Sequence, residues 1–163
     1  MGKRELTAQD IAAVMALVSE RPSTDVYAAI QTLTKDTCGW RLCTILRYDE
    51  REQAVVRLHS SDPAAYAVGG KKPLDKIRDT QAAMASGEVF LAPTKDAVRK
   101  AYFDHDLIFS LGITAIMNAP IRHAGRRLGT LNLCGEEGMY GPAEIARAKI
   151  LAGLLVPALL MAM

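Results

Sequence analysis

The chain has 163 residues and a mass of 17.7 kDa, the size of one ordinary domain. Half of its residues are hydrophobic and 23% are charged, a balance that excludes a disordered chain. The formal net charge is +2 and the aromatic share is 6%. These values exclude a dedicated nucleic-acid-binding protein, which shows a basic stripe or a platform of stacking aromatic residues.

The periodicity of apolar residues predicts elements in the order α-α-β-β-α-β-α-α-β-β-α. The predicted helices cover 7–18, 24–38, 75–85, 95–103, 104–111 and 142–160, and the predicted strands cover 40–48, 54–60, 88–91, 113–122 and 127–134. Thr7 is the expected N-cap of the first helix, with Asp10 three residues later. Pro142 starts the last helix, and Pro157 is expected to kink it near its end.

The two adjacent strand pairs, 40–48 with 54–60 and 113–122 with 127–134, are typical of hairpins. Hairpins build an antiparallel sheet, so the expected fold class is α+β. We expect residues 24–163 to form one domain and residues 1–23 to form a helical extension that packs on it.

Three further patterns bear on the cellular compartment and on membrane association. The three cysteines, Cys38, Cys43 and Cys134, form no CxxC pair, which favours reduced thiols in the cytoplasm and argues against a zinc site. No apolar run follows the basic N-terminal residues, so no signal peptide is expected. Residues 150–163 carry no charge, but they fall short of the ~20 residues that span a bilayer. We expect them to form a core or interface helix, with neither a membrane nor a nucleic acid as a partner.

One stretch of the chain carries a family resemblance. Gly112 precedes an apolar strand that ends in Pro120, and a turn at Gly125 leads into a second strand that begins with Leu128 and Gly129. A long apolar helix follows Pro142. This arrangement resembles the GAF domain family, the small-molecule sensor relatives of the PAS fold, and the resemblance extends over nearly the whole chain.

The resemblance implies an α/β sandwich with a central antiparallel sheet of about five to six strands. Helices from both chain ends would cover one face, and a roof formed by residues 71–111 would close a ligand cavity on the other. It further implies a stand-alone sensory domain that binds a small molecule and acts in trans on a regulatory protein. We expect a homodimer through the terminal helices, and the identity of ligand or cofactor stays unknown.

Several side chains are candidates for this cavity. Asn118 and Asn132 interrupt apolar strands, and a buried amide needs partners, which either a ligand or a neighbouring loop supplies. Arg57 and His59 are two residues apart in a strand, so they are expected to share a face that meets an anion in the cavity or lies in solvent. The residues predicted to contact a ligand are Tyr48, His59, Tyr102, Phe103, His105, Asp106, Phe109, Asn118 and Asn132.

Two other functions remain open. One is a dimerisation scaffold whose cavity is filled by its own side chains. The other is a small redox enzyme of the free methionine sulfoxide reductase type, with Cys134 or Cys43 as nucleophile. The predicted roof, 71–111, contains no cysteine and so departs from the pattern of that enzyme branch. No catalytic residue and no metal ligand is therefore predicted.

Overall fold

The computed structural model describes residues 2–163, and within that range six strands form one antiparallel sheet in the order β3-β2-β1-β6-β5-β4. The strands are β1 (Leu42–Asp49), β2 (Ala54–Ser60), β3 (Lys71–Pro73), β4 (Phe90–Ala92), β5 (Ala115–His123) and β6 (Arg126–Gly135). The expected α+β fold with a six-stranded antiparallel sheet is confirmed.

The helices cover both faces of this sheet. They are α1 (Ala8–Glu20), α2 (Ser23–Thr37), α3 (Arg78–Ser86), α4 (Lys95–Ala101), α5 (His105–Ser110), α6 (Pro142–Leu154) and α7 (Val156–Met161). The last predicted helix is divided in two, because Pro157 cannot continue the hydrogen bonding of α6. The kink predicted at Pro157 is thus confirmed as a break at Leu155.

The four terminal helices, α1, α2, α6 and α7, pack on one face of the sheet and enclose the larger core. The start of α1 is fixed as the sequence predicts: the Thr7 hydroxyl accepts from the Asp10 amide, and the Asp10 carboxylate accepts from the Thr7 amide. Val14 of α1 belongs to the same buried cluster as Ile30 of α2 and Leu151 of α6. The extension therefore shares one core with the rest of the chain.

The opposite face of the sheet is covered by α3, α4, α5 and the connecting loops. β1 and β6 approach closely at Gly129, where an added Cβ would lie 1.9 Å from the Leu46 carbonyl oxygen. Only a residue without a side chain fits at this point of the strand pair.

Two elements differ from the sequence prediction. Residues 71–73, expected to belong to a loop, form the edge strand β3, which pairs with β2. The helix predicted over 75–85 is a 3-10 turn (Leu74–Lys76) followed by α3. Three residues with two lysines and a proline show no apolar alternation, so the sequence gives no strand signal at β3.

Within residues 2–163, no helix has the length and apolar character needed to cross a membrane. The charge-free segment 150–163 divides its side chains between two environments. Leu151, Leu155 and Leu159 are buried in the core, whereas Ile150 and Met161 are exposed.

Candidate functional site

A cavity lies between the sheet and its covering loops, on the face opposite the terminal helices. About 50 Å³ of it can hold the centre of a water molecule. A single water needs roughly 10–15 Å³ by this measure, so the cavity has room for a few waters or a small ligand. Its lining residues are Leu42, Thr44, Leu46, Arg57, Tyr66, Lys72, Tyr102, Ile108, Ile113, Ile116, Asn118, Asn132 and Cys134.

A row of polar side chains, here called the amide ladder, crosses the cavity face on neighbouring strands. Asn118 of β5 pairs in register with Asn132 of β6, which pairs with Thr44 of β1. The Asn118 amide donates to Asn132 Oδ1 at 2.6 Å, and the Asn132 amide donates to Thr44 Oγ1 at 3.1 Å. Asn118 Oδ1 accepts from Tyr102 at 2.5 Å and from Thr80 at 3.0 Å. The ladder therefore ties the roof helices to the sheet.

An ion pair lies beside the cavity. The Lys72 ammonium is 2.9 Å from Asp104 Oδ2, which also accepts from the Tyr66 hydroxyl at 3.0 Å. Asp104 Oδ1 is buried and has no hydrogen-bond partner in the described part of the chain. Burial is the main cause that raises the pKa of both Tyr66 and Tyr102, so both hydroxyls stay protonated and able to donate at neutral pH.

Arg57 is the charged residue buried most deeply at the cavity, with 6% of its surface exposed. Its Nη1 donates to the Ala67 carbonyl at 2.9 Å, and its guanidinium lies 5.0 Å from the centre of the Tyr66 ring. Its Nε is buried without a partner, and within residues 2–163 no carboxylate forms an ion pair with it. Burial lowers the pKa of Arg57, but an arginine remains charged at neutral pH.

The expectation that Arg57 and His59 share a face is wrong. β1 pairs Ile45 with His59 and Leu46 with Arg57, so Leu58 is an extra residue that forms a bulge in β2. The bulge moves His59 to the face covered by the terminal helices, here called the helix face, where its Nε2 lies 2.7 Å from Gln31 Oε1. Burial there lowers the pKa of His59. His59 therefore does not line the cavity, whereas Arg57 does.

Three of the nine predicted ligand contacts line the cavity: Tyr102, Asn118 and Asn132. Tyr48 is buried in a neighbouring cluster, and its hydroxyl accepts from Arg127 at 2.9 Å.

The other predicted roof residues lie outside the cavity lining. Phe103 is 58% exposed, and the Asp106 side chain is 98% exposed. His105 Nδ1 lies 2.9 Å from the Tyr102 carbonyl oxygen, which fixes the turn between α4 and α5. The cationic groups of Lys95 and Arg99 lie 4.8 and 5.3 Å from the centre of the Phe109 ring. None of these four side chains is among the groups that border the cavity.

Thr44 and Lys72 line the cavity but are not predicted from the sequence, and Cys134, which lines it too, is predicted only as a candidate nucleophile. Thr44 interrupts the apolar series of β1 in the same way as Asn132 interrupts β6, and this signal was available. Lys72 reaches the cavity only because β3 pairs with β2, which the sequence does not reveal. Arg57 is paired with His59 in the sequence analysis but is not among the predicted ligand contacts, although it lines the cavity.

The three cysteines are buried and free. Two of them, Cys43 in β1 and Cys134 in β6, lie on opposite faces of the sheet. Cys134 lines the cavity, whereas Cys43 belongs to the helix-side core. Burial raises the pKa of each of these two thiols to about 12, so neither is poised as a thiolate nucleophile. The described residues contain no cluster of three or more histidine, cysteine, aspartate or glutamate side chains that would hold a metal ion.

The sequence profile of the GAF domain family matches residues 20–159. This match covers most of the chain, so the chain belongs to the GAF domain family. A comparison with curated proteins gives no match.

Solved structures share the fold at low sequence identity. The GAF domain of a phosphoenolpyruvate-protein phosphotransferase from Coxiella burnetii is 15% identical, with a TM-score of 0.77 over 94% of this chain and 92% of that one. A free methionine-R-sulfoxide reductase from Neisseria meningitidis, in complex with its substrate, is 16% identical, with a TM-score of 0.72 over 99% of each chain. The GAF domain of a sensor histidine kinase from Bacillus halodurans is 13% identical, with a TM-score of 0.71 over 85% of this chain and 94% of that one. These similarities establish the fold alone.

Proposed function

We propose that this member of the GAF domain family is a small-molecule-binding regulatory domain, and that the cavity bordered by Arg57, Tyr102 and the amide ladder is its ligand site. The observation that carries the proposal is the buried guanidinium of Arg57: this residue lines the cavity, and its Nε has no hydrogen-bond partner among the described residues. A buried polar group without a partner is costly, and a ligand in the cavity supplies the missing acceptor.

The contacts around the cavity suggest how a ligand bound there would change the protein surface. Tyr66 and Asp104 join the loop after β2 to the turn before α5, and Lys72 joins the edge strand β3 to the same carboxylate. A ligand that contacts Arg57 would also lie near Tyr66, because both residues line the cavity and the Tyr66 ring lies against the guanidinium. Binding would therefore shift the balance between conformations of these covering segments and change the surface offered to a regulatory protein partner.

The terminal helices are the proposed homodimer surface. Several apolar side chains on them remain exposed: Met15 at 44%, Ile150 at 46%, Leu160 at 38% and Met161 at 83%. A second copy of the chain presents the same exposed apolar side chains, so it could cover this surface. Pairing of the terminal helices would then join two cavities in one dimer. Sedimentation velocity tests this: the wild type should be a dimer that Met161→Asp weakens, whereas Val68→Asp, at an exposed apolar residue on a loop of the other face, should not. A monomeric wild type contradicts the homodimer.

Neither alternative function has a supporting observation of similar weight. A scaffold would fill the space beside Asn118 with side chains, but Asn118 borders a cavity. A methionine sulfoxide reductase needs a reactive thiolate, but the pKa of Cys134 in the cavity is raised to about 12 by burial.

A thermal-shift screen of carboxylates, amides, nucleotides and aromatic acids tests the proposal. At least one of these classes should raise the Tm of the wild type, because a ligand stabilises the state that binds it. In the variant Cys134→Phe the new ring occupies the cavity, so the shift should disappear.

Cys43→Ala is the matched control, because Cys43 belongs to the same sheet but faces the helix-side core. It should lower the Tm and keep the ligand-induced shift. If no compound raises the Tm, or if Cys134→Phe responds as the wild type does, the cavity is not the ligand site.

A further inference from the structure

The charges beside the cavity do not cancel. Lys72 and Asp104 form an ion pair at 2.9 Å, which neutralises both. Arg57 has no such partner in the part of the chain that the structure describes, although it is more than nine-tenths buried. One positive charge at the cavity wall therefore lacks a counter-ion, and burial makes such a charge costly. An anion is the ligand that removes this cost.

The guanidinium of Arg57 is held in place before any ligand arrives. Nη1 is bonded to the Ala67 carbonyl, and the Tyr66 ring covers the group at 5.0 Å. The loop can approach this closely because residue 70 is glycine: a Cβ there would lie 2.5 Å from Arg57 Nη1. The guanidinium of a cavity-lining residue is thus fixed while its Nε–H still lacks an acceptor among residues 2–163.

The unused hydrogen-bonding capacity of the amide ladder consists mainly of donors. Asn118 Oδ1 already accepts two hydrogen bonds, from Tyr102 and Thr80. Asn118 and Asn132 each have an amide group with two N–H donors, of which the ladder uses one. Thr44 accepts from Asn132 and keeps its own O–H free. These free donors match acceptor oxygens on a ligand.

The remaining wall is apolar. Leu42, Leu46, Ile113 and Ile116 border the cavity between the polar groups. An inorganic oxyanion presents oxygen on every side and would leave these side chains facing polar atoms. A short carbon body is the better match, because it places apolar atoms against apolar atoms.

We propose that the ligand is a short organic acid whose carboxylate accepts from Arg57 and whose second oxygen, a carbonyl or hydroxyl, accepts from Asn132 or Thr44. This assignment rests on the proposed function, since it names the ligand class of the same cavity. It also excludes a zwitterion, because none of the described residues that line the cavity is a carboxylate; Asp104 lies outside that lining, and its Oδ2 is occupied by Lys72 and Tyr66.

The test is a titration with pyruvate, L-lactate and propionate, followed through the Arg57 Nε–H signal in proton–nitrogen NMR spectra. The matched neutral amides, L-alanine and inorganic phosphate serve as competing probes. Pyruvate or lactate should bind and move the Arg57 signal. Propionate should bind more weakly because it lacks the second oxygen, and each amide should bind about 10–100-fold more weakly than its acid because it lacks the charge.

Two variants locate the binding charge. Arg57→Gln should weaken pyruvate or lactate binding about 10–100-fold, as expected for a hydrogen bond with a charged group. Gly70→Ala keeps the charge but displaces the guanidinium, so it should also weaken binding. It serves as the decisive variant if Arg57→Gln does not fold. Arg127→Gln is the control, because Arg127 contacts Tyr48 away from the cavity, and it should bind as the wild type does.

The outcomes separate this assignment from the proposed function. Tight binding of an amide, of L-alanine or of phosphate overturns the organic-acid assignment. The assignment also fails if no acid binds while the thermal-shift screen finds another ligand that Cys134→Phe blocks, and in that case the binding function survives. If neither experiment finds a ligand, both proposals are overturned.

Discussion

The two faces of the central sheet are built from alternating residues of the same strands, yet they differ in character. On the helix face, Leu131 and Leu133 of β6 join Met117 of β5 in a continuous apolar core. On the cavity face, the intervening positions of the same strands are the polar residues Asn132 and Asn118. One face is filled by well-packed apolar side chains, and the other keeps a small empty space with buried polar groups around it.

This difference shows how one sheet separates stability from binding. Apolar burial stabilises a fold without regard to direction, so the helix face can supply most of the folding free energy. Polar groups in a cavity add little net stability, but they recognise a ligand by geometry and charge. Because successive side chains of a strand point to opposite faces, the residues that stabilise the fold and those that border the cavity lie on opposite sides of the sheet.

The largest expected effect is on the helix face. Leu131→Ala should lower the free energy of unfolding by about 3–4 kcal/mol, because a fully buried leucine is replaced by a void. Ile116→Ala on the cavity face should cost less, because part of the Ile116 side chain already borders empty space. Urea unfolding measures both values. A larger loss for Ile116→Ala would contradict the assignment of stability to the helix face.

The next effect concerns the amide ladder. Asn118→Ala should cost about 1–3 kcal/mol, because Tyr102, Thr80 and Asn132 each lose a hydrogen-bond partner. Asn132→Ala should cost a similar amount.

Because the two amides bond each other, the double variant Asn118→Ala/Asn132→Ala should be clearly less destabilised than the sum of the single variants. The three free energies of unfolding, compared with wild type, give this coupling. Additive losses would show that the ladder does not act as one network.

The sequence predicts much of the difference between the two faces of the sheet, but not all of it. Alternation in β5 and β6 is regular, so Asn118 and Asn132 could be placed opposite the apolar core from the sequence alone. The same rule failed in β2, because the extra residue Leu58 shifts the alternation and no local pattern marks a bulge. The place of Lys72 at the cavity could not be predicted for a different reason: it depends on the pairing of β3 with β2, which is a long-range contact.

A smaller effect follows from the position of His59 on the helix face. Burial lowers its pKa from the ordinary 6.5, so below that pH the unfolded chain binds more protons than the folded one. The free energy of unfolding should therefore fall as the pH drops from 7 through 6.5 towards the lower folded pKa. His59→Gln should remove part of this loss.

Urea unfolding between pH 7 and pH 5.5 measures this dependence. His123→Gln is the matched control for the loss of one histidine, because His123 is exposed at the end of β5. An unchanged pH dependence in His59→Gln would mean that burial of His59 has no energetic consequence for folding.

The smallest expected effect gives the most direct test of the account. If Arg57 serves binding and not folding, its buried, unpaired charge adds no stability to the ligand-free protein. The measurement is urea unfolding of ligand-free wild type and Arg57→Met in the same buffer. The free energy of unfolding of Arg57→Met should lie within about 1 kcal/mol of the wild-type value or exceed it. A loss of more than about 2 kcal/mol would contradict it, since Arg57 would then be a structural residue of the folded chain.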